Sequence, residues 1–233
     1  MLGSRNAEVS AGVIGAYTGR HANHPITQPF VPSEVEAPAQ CPSTSLRTNG
    51  GGSRATLMIL GAIIAGGASS RFGSDKALAL LDGRPLIAHA AAALEPFVAT
   101  IVVCGREWGG LLSLADQPLP GLGPLGGIAA ALRHAEPAGY THVLTIGCDM
   151  PRVPPALIAD LIEHAPAYCG DAPILGCWRA DAAGTLAARL DGHVSGTKTA
   201  ALSIRRWADV VGATTLPAPA PLFNVNTPAD LPI

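Results

Sequence analysis

Aromatic side chains and charge are both scarce in this chain: 4% of its 233 residues are aromatic and 14% are charged. With 15 Lys+Arg against 17 Asp+Glu, there is no basic excess for a broad nucleic-acid surface or a polybasic membrane contact. The cysteines, Cys41, Cys104, Cys148, Cys169 and Cys177, are odd in number and contain no C-x-x-C pair. This excludes a disulfide-stapled scaffold and predicts reduced, mostly buried thiols in a cytoplasmic protein. Neither these cysteines nor the seven histidines fall at paired zinc-ligand spacing. Long apolar runs are also missing. Val13–Ala16 is too short for the core of a signal peptide, and Leu57–Gly67 falls well short of the roughly 20 residues that span a bilayer. What the chain does have is 48% hydrophobic residues, 27 Gly and 21 Pro, enough for one sizeable α/β core plus loops or a tail.

The composition changes sharply at Met58. Before it, Pro25, Pro29, Pro32, Pro38 and Pro42 punctuate a segment closed by Gly50-Gly51-Gly52, with no sustained helix or strand period. Residues 1–57 therefore read as a disordered extension, or as a mis-assigned start with Met58 as the natural initiator. From 58 to 233, strand-like and helix-like segments alternate. Leu57–Ile64, Thr100–Cys104, Thr141–Ile146, Pro173–Trp178 and Val210–Leu216 read as strands. Helices are expected after Pro85, from Pro124, from Pro154-Pro155 through Glu163, and over Asp181–Leu190 and Thr197–Trp207. This alternation predicts a three-layer α/β/α sandwich with a mostly parallel, Rossmann-like sheet.

Four segments carry potential chemistry. Ile64-Ala65-Gly66-Gly67 leads from the first strand into Arg71 and Lys76. Adjacent glycines let backbone N–H groups approach a phosphate, and the two cations suit the same anion. Neither G-x-G-x-x-G nor the P-loop pattern is present. Gly147-Cys148-Asp149-Met150-Pro151 puts a carboxylate at a strand's end. There it could hold Mg²⁺ against phosphate oxygens, or simply form the turn. Asp116 opens a Gly/Pro-rich loop that ends at a helix N-terminus near Pro124, suited to a base or ribose. Phe223-Asn224-Val225-Asn226-Thr227-Pro228 places two Asn around an apolar residue, with Thr227 as an N-cap. The histidines, Trp178 and Trp207 read as structural residues.

In this order, Ile-Ala-Gly-Gly-x-Ser-x-Arg-x-Gly-x-Asp-Lys-Ala-Leu, Gly-Pro-Leu-Gly-Gly-Ile, Cys-Asp-Met-Pro and Asn-Val-Asn-Thr-Pro-x-Asp-Leu resemble the molybdenum cofactor guanylyltransferase (MobA) family of the nucleotidyltransferase superfamily. The resemblance spans about 58–233 and implies a fold of the nucleotide-diphospho-sugar transferase type. It implies GMP transfer from GTP to the terminal phosphate of molybdopterin (as the molybdenum cofactor), with Mg²⁺ as cofactor and pyrophosphate as leaving group. Ile64, Ala65 and Gly66 would meet the nucleotide through the backbone, Lys76 and Arg71 its phosphates, Asp116 the base or ribose, and Asp149 both metal and nucleotide. Asn224 and Asn226 would contact acceptor or metal, and the product would pass to molybdoenzymes or their chaperones. Gly66-Gly67, in place of Ala-Gly, resembles the guanylyl rather than the cytidylyl branch. Phe72 replaces the usual Met, and Cys104 stands where relatives often carry a nucleotide-contacting Asn. Alternatives are a transferase using CTP or a sugar- or polyol-phosphate acceptor, or a non-catalytic nucleotide-binding module.

Overall fold

In the computed structural model, residues 57–66, 75–196 and 202–231 are described. The proposed extension lies outside them except for Leu57, which packs against the core. The chain runs through β1 (Ile59–Ile64), β2 (Leu80–Leu81), β3 (Arg84–Pro85), α1 (Leu86–Leu94), β4 (Thr100–Cys104) and β5 (Leu112–Leu114). It continues through α2 (Pro124–Ala135), β6 (His142–Gly147), α3 (Pro155–Glu163), β7 (Ala167–Cys169) and β8 (Gly176–Arg179). It ends with α4 (Ala183–Val194), α5 (Ile204–Val210) and β9 (Thr214–Leu216).

Seven strands form one sheet in the order β5-β4-β1-β6-β8-β7-β9, while β2 and β3 make a separate hairpin. β1 pairs in parallel with both β4 and β6, and β5 with β4. β8 runs antiparallel to β6 and β7, whereas β7 and β9 are parallel. All six residues of β1 are buried, as expected for a strand covered on both faces. Side chains alternate along a strand. Ile59 and Ile63 accordingly face the layer of α1 and α3, and Leu60, Ala62 and Ile64 face α2, α4 and α5. These two apolar layers make the expected sandwich. A third small cluster, Leu81, Leu86 and Val225, seats the C-terminal segment beside the hairpin.

Several element boundaries differ from expectation, and the strand expected over Val210–Leu216 is confined to Thr214–Leu216 because Val210 closes α5. The strand expected over Pro173–Trp178 starts at Gly176, because Ala172–Leu175 is a turn closed by the Leu175 N–H on the Ala172 carbonyl (2.9 Å). The helix expected from Thr197 begins at Ile204, and Thr197–Ala201 lie outside the described residues. β5 and β7, three residues each, are strands that periodicity did not reveal. A three-residue run is too short to show alternation. Trp178 and Trp207 are fully buried with ring centroids 4.4 Å apart, core residues as expected. No helix among the described residues is long and apolar enough to cross a membrane.

Candidate active site

The sheet order reverses at β1: the chain goes first to β4 and β5 on one side, then to β6 on the other. In open α/β sheets such a switch point opens a crevice at the strands' carboxyl ends. Here that crevice is bounded by Ile64-Ala65-Gly66 after β1, Gly105-Arg106 after β4 and Cys148-Asp149 after β6. The Ala65 N–H donates to the Cys104 carbonyl (3.0 Å), and Cys148 N–H donates to the Ile64 carbonyl (3.3 Å), tying the three loops together.

Gly105 is the tightest point of this frame. Its φ is +86°, and a Cβ built there would lie 2.4 Å from the Gly66 Cα. The two backbones touch, so neither a left-handed φ nor the contact tolerates a side chain. Asp116 leans over the same place: its Oδ2 would be 3.3 Å from a Cβ on Gly66. The α2 first turn approaches Asp116 equally closely, since a Gly126 Cβ would sit 3.1 Å from the Asp116 Cβ. Gln117 N–H donates to the Gly126 carbonyl (3.0 Å), and no side chain caps the α2 N-terminus. Burial holds the Asp116 carboxyl above the usual carboxylate range.

On the other side of β1, the Lys76 ammonium donates to Asp149 Oδ2 (2.8 Å). Lys76 begins a short 3₁₀ turn capped by Asp75, whose Oδ1 accepts the Ala77 N–H (3.2 Å). Asp75 is gripped in turn by both terminal nitrogens of Arg106, one at 2.6 Å from Oδ1. Its hydrogen bond to Arg106 holds the Asp75 carboxyl below its ordinary range, and the same bond raises Arg106. A bidentate charge-assisted pair thus fastens the turn carrying Lys76 to the loop after β4. Asp149 is also tied through its backbone, where its carbonyl accepts the Val225 N–H (3.0 Å). Val225 is buried in the small core, and Asp230 caps the following turn by accepting the Asn226 and Thr227 N–H groups (both 2.7 Å).

The expected site residues therefore converge in part. Ile64, Ala65, Gly66, Lys76, Asp116 and Asp149 surround one crevice. Asn224 lines a groove with Asp149, while Asn226 is exposed on the adjoining turn. Arg71 lies outside the described residues. Cys104 is fully buried in the α2-side core, its Cβ 3.1 Å from where a Gly127 Cβ would stand, and burial followed by the Asp116 charge pushes its thiol up to about 12. At this position the chain has core packing where an Asn could reach a ligand. Gly105, Arg106 and the capping role of Asp75 were missed. The available signal was a glycine ending the second strand just as Gly66 ends the first. Among the described histidines, His89 Nε2 lies 2.8 Å from the Leu81 carbonyl and His164 Nδ1 2.9 Å from that of Asp160, structural contacts as expected.

This arrangement is an α/β fold with a crevice at its switch point, and solved structures share the fold. The Molybdopterin-guanine dinucleotide biosynthesis protein A of Archaeoglobus fulgidus superposes with a TM-score of 0.57 at 23% identity, covering 73% of this chain and 94% of that one. A nucleotidyl transferase from Methanothermobacter gives a TM-score of 0.55 at 19% identity, over 74% and 94%. The family model for the MobA-like NTP transferase domain matches residues 61–202, and the chain belongs to that family. Among its relatives, the molybdenum cofactor guanylyltransferase of Rhodobacter capsulatus is 34% identical over 185 residues, covering 75% of this chain and 94% of that protein. The enzyme of the same name from Rhizobium meliloti is 32% identical over 192 residues, covering 72% and 87%. That of Sinorhizobium fredii is 44% identical over 108 residues, 42% of this chain and 49% of that protein.

Proposed function

We propose that this chain transfers GMP from GTP to the terminal phosphate of molybdopterin, forming the guanine dinucleotide form of the cofactor and releasing pyrophosphate. The observation that carries this reading is the meeting of Gly66, Asp116 and the Lys76–Asp149 pair at one switch-point crevice, in a chain whose relatives bear the guanylyltransferase name. Asp116 and the uncapped first turn of α2 would hold the base or ribose. Lys76 would exchange Asp149 for the nucleotide phosphates, with Arg71 joining it on the same anion. An acceptor phosphate is already ionised at neutral pH, so no general base is demanded. The protein's work is alignment and charge neutralisation.

The donor set suits magnesium. Asp149 offers a carboxylate, and Asn224 lines the same groove. Mg²⁺ is commonly held by one or two carboxylates, with substrate phosphates and waters completing its shell. Asp149 would hold it, with Asn224 beside it. When bound, the ion withdraws charge from the transferring and leaving phosphates. Cytoplasmic residence belongs to the same proposal and accords with four free cysteines among the described residues.

The test is incubation with molybdopterin, Mg²⁺ and GTP, CTP or UTP, with product identified by mass. The guanine dinucleotide should form with GTP alone, Asp149→Ala should abolish it with the fold intact, and chelation by EDTA should stop turnover reversibly. Preference for CTP, or near-normal turnover by Asp149→Ala, would overturn the assignment.

A further inference from the structure

The loop after β4 brings a guanidinium to the carboxyl end of β1. Cys104 is buried in the core and Gly105 has no side chain, so Arg106 is the first residue past β4 that can reach into the crevice. It reaches across the sheet. Arg106 holds Asp75, the adjoining Lys76 holds Asp149 after β6, and the Arg106 charge also acts on the Cys148 thiol of that loop. β4 and β6 flank β1 on opposite sides, so Arg106, Asp75, Lys76 and Asp149 make a bridge of alternating charge over the strand between them. The Arg106 side chain is only 22% exposed. Both of its terminal nitrogens donate to Asp75. Its Nε, by contrast, is buried with no hydrogen-bond partner among the described residues.

A guanidinium is planar and presents its N–H donors in a fixed fork geometry. The Asp75 carboxylate takes the end fork, one N–H from each terminal nitrogen. The side fork, Nε–H together with the outer N–H of the neighbouring terminal nitrogen, is left over. A buried charged donor without an acceptor is destabilising, and such a group calls for a partner. We propose that the side fork of Arg106 binds a phosphate of the nucleotide's polyphosphate chain while its end fork keeps Asp75. Two parallel N–H donors match two oxygens of one phosphate. Lys76 must release Asp149 to meet a phosphate, whereas Arg106 gives up nothing. One rigid group then joins the ligand to the turn that carries Lys76, which a lysine ammonium could not do from a single point. The acceptor's terminal phosphate offers the same oxygens, so the two substrates are the alternative sources of this chemistry. Placement favours the nucleotide, because Arg106 leaves from the β4 side, where Asp116 also stands. A nucleotide held at Asp116 would bring its phosphates to Arg106 on the way to Lys76 and Asp149. The inference rests on the guanylyl-transfer reading only for the identity of the nucleotide.

Inorganic triphosphate isolates this contact, because it carries no base and needs no turnover. Calorimetry in Mg²⁺ buffer compares the full chain as wild type, Arg106→Gln, Arg106→Lys and Asp75→Asn, with thermal denaturation to check that each is folded. Asp75→Asn cuts the same clamp but leaves the side fork in place. Arg106→Lys keeps a charge for Asp75 but has no fork, and it carries the comparison if Arg106→Gln fails to fold. The expected result is saturable triphosphate binding by the wild type, weakened about tenfold or more in both Arg106 variants and less than about threefold in Asp75→Asn. In the transfer assay the KM for GTP rises in the Arg106 variants while the KM for molybdopterin stays put. Absence of wild-type triphosphate binding, or binding by Arg106→Lys within about twofold of the wild type, overturns the inference. Equal losses in Asp75→Asn and the Arg106 variants do the same, since the clamp alone would then account for them. So does a raised KM for molybdopterin with that for GTP unchanged, which would give the fork to the acceptor's phosphate. If the wild type binds triphosphate through Arg106 but forms no guanine dinucleotide, the functional reading fails and this one stands.

Discussion

Replacing Gly105 by alanine isolates the backbone contact that shapes the switch-point crevice. Two costs are predictable from the geometry. An alanine at φ +86° pays the left-handed penalty of about 1–2 kcal/mol. Its methyl would also stand 2.4 Å from the Gly66 Cα and 2.7 Å from its nitrogen, where carbon contacts normally settle near about 3.5–4.0 Å. The Gly66 loop must therefore retreat by about 1 Å, and displacements of that size cost about 10²-fold in rate when they misplace a reacting group. Gly139 is the matched control: its φ is +83°, but nothing lies within 4 Å of the Cβ it would gain. Thermal denaturation and GMP-transfer kinetics should then separate strain from displacement. Gly139→Ala should lose about 2–8 °C in Tm and Gly105→Ala more, and only Gly105→Ala should lose about a hundredfold in kcat/KM for GTP. Wild-type kinetics in Gly105→Ala, or an equal loss of activity in Gly139→Ala, would refute the role assigned to the Gly66–Gly105 contact.

Other outcomes are expected on similar grounds. Arg106→Ala and Asp75→Asn each release the turn that begins at Lys76. A double-mutant cycle on kcat/KM should therefore show a coupling of about 0.5–3 kcal/mol, and strictly additive losses would argue against a clamp. Because burial raises the Asp116 carboxyl, its favourable contribution to stability is present below the unfolded-state pKa and is lost as pH rises through the folded one. Asp116→Asn should accordingly raise Tm at pH 7 while weakening GTP binding, and the gain should vanish in acid below the ordinary Asp value. An unchanged Tm at pH 7 would count against that cause. Thr145→Val removes the hydroxyl that donates to the Ile174 and Gly176 carbonyls and accepts from Trp178 Nε1 (2.9 Å). Urea unfolding should report a loss of about 1–3 kcal/mol, and a neutral result would mean that these groups find other partners.

Much of the fold was legible from local pattern. β1, β4 and β6 are strongly apolar runs, and α2 and α3 begin at prolines suited to a first helical turn. The hairpin turn at Asp82-Gly83 is likewise carried by two residues, with φ of 51° and 74°. The loops after β1 and β6 stood out because glycine and charge directly follow such runs. β5, β7 and the start of α5 were not legible, since three-residue strands and a seven-residue helix owe their form to neighbours in the sheet and core.

What the sequence by itself determined was the inventory: which strands are buried on both faces, which residues end them, and hence that Gly66, Lys76, Asp116 and Asp149 were candidates for one site. Those are properties of neighbours along the chain, written in period and turn chemistry. Only the tertiary structure decided that Lys76, seventy-three residues before Asp149, lies 2.8 Å from it. It also decided that Arg106 holds Asp75, that Gly105 must be glycine because Gly66 lies against it, and that Asp171 shares a groove with Asp149. Such contacts follow from the order in which strands enter the sheet, and that order is set by packing two apolar layers around β1 rather than by any local run of residues.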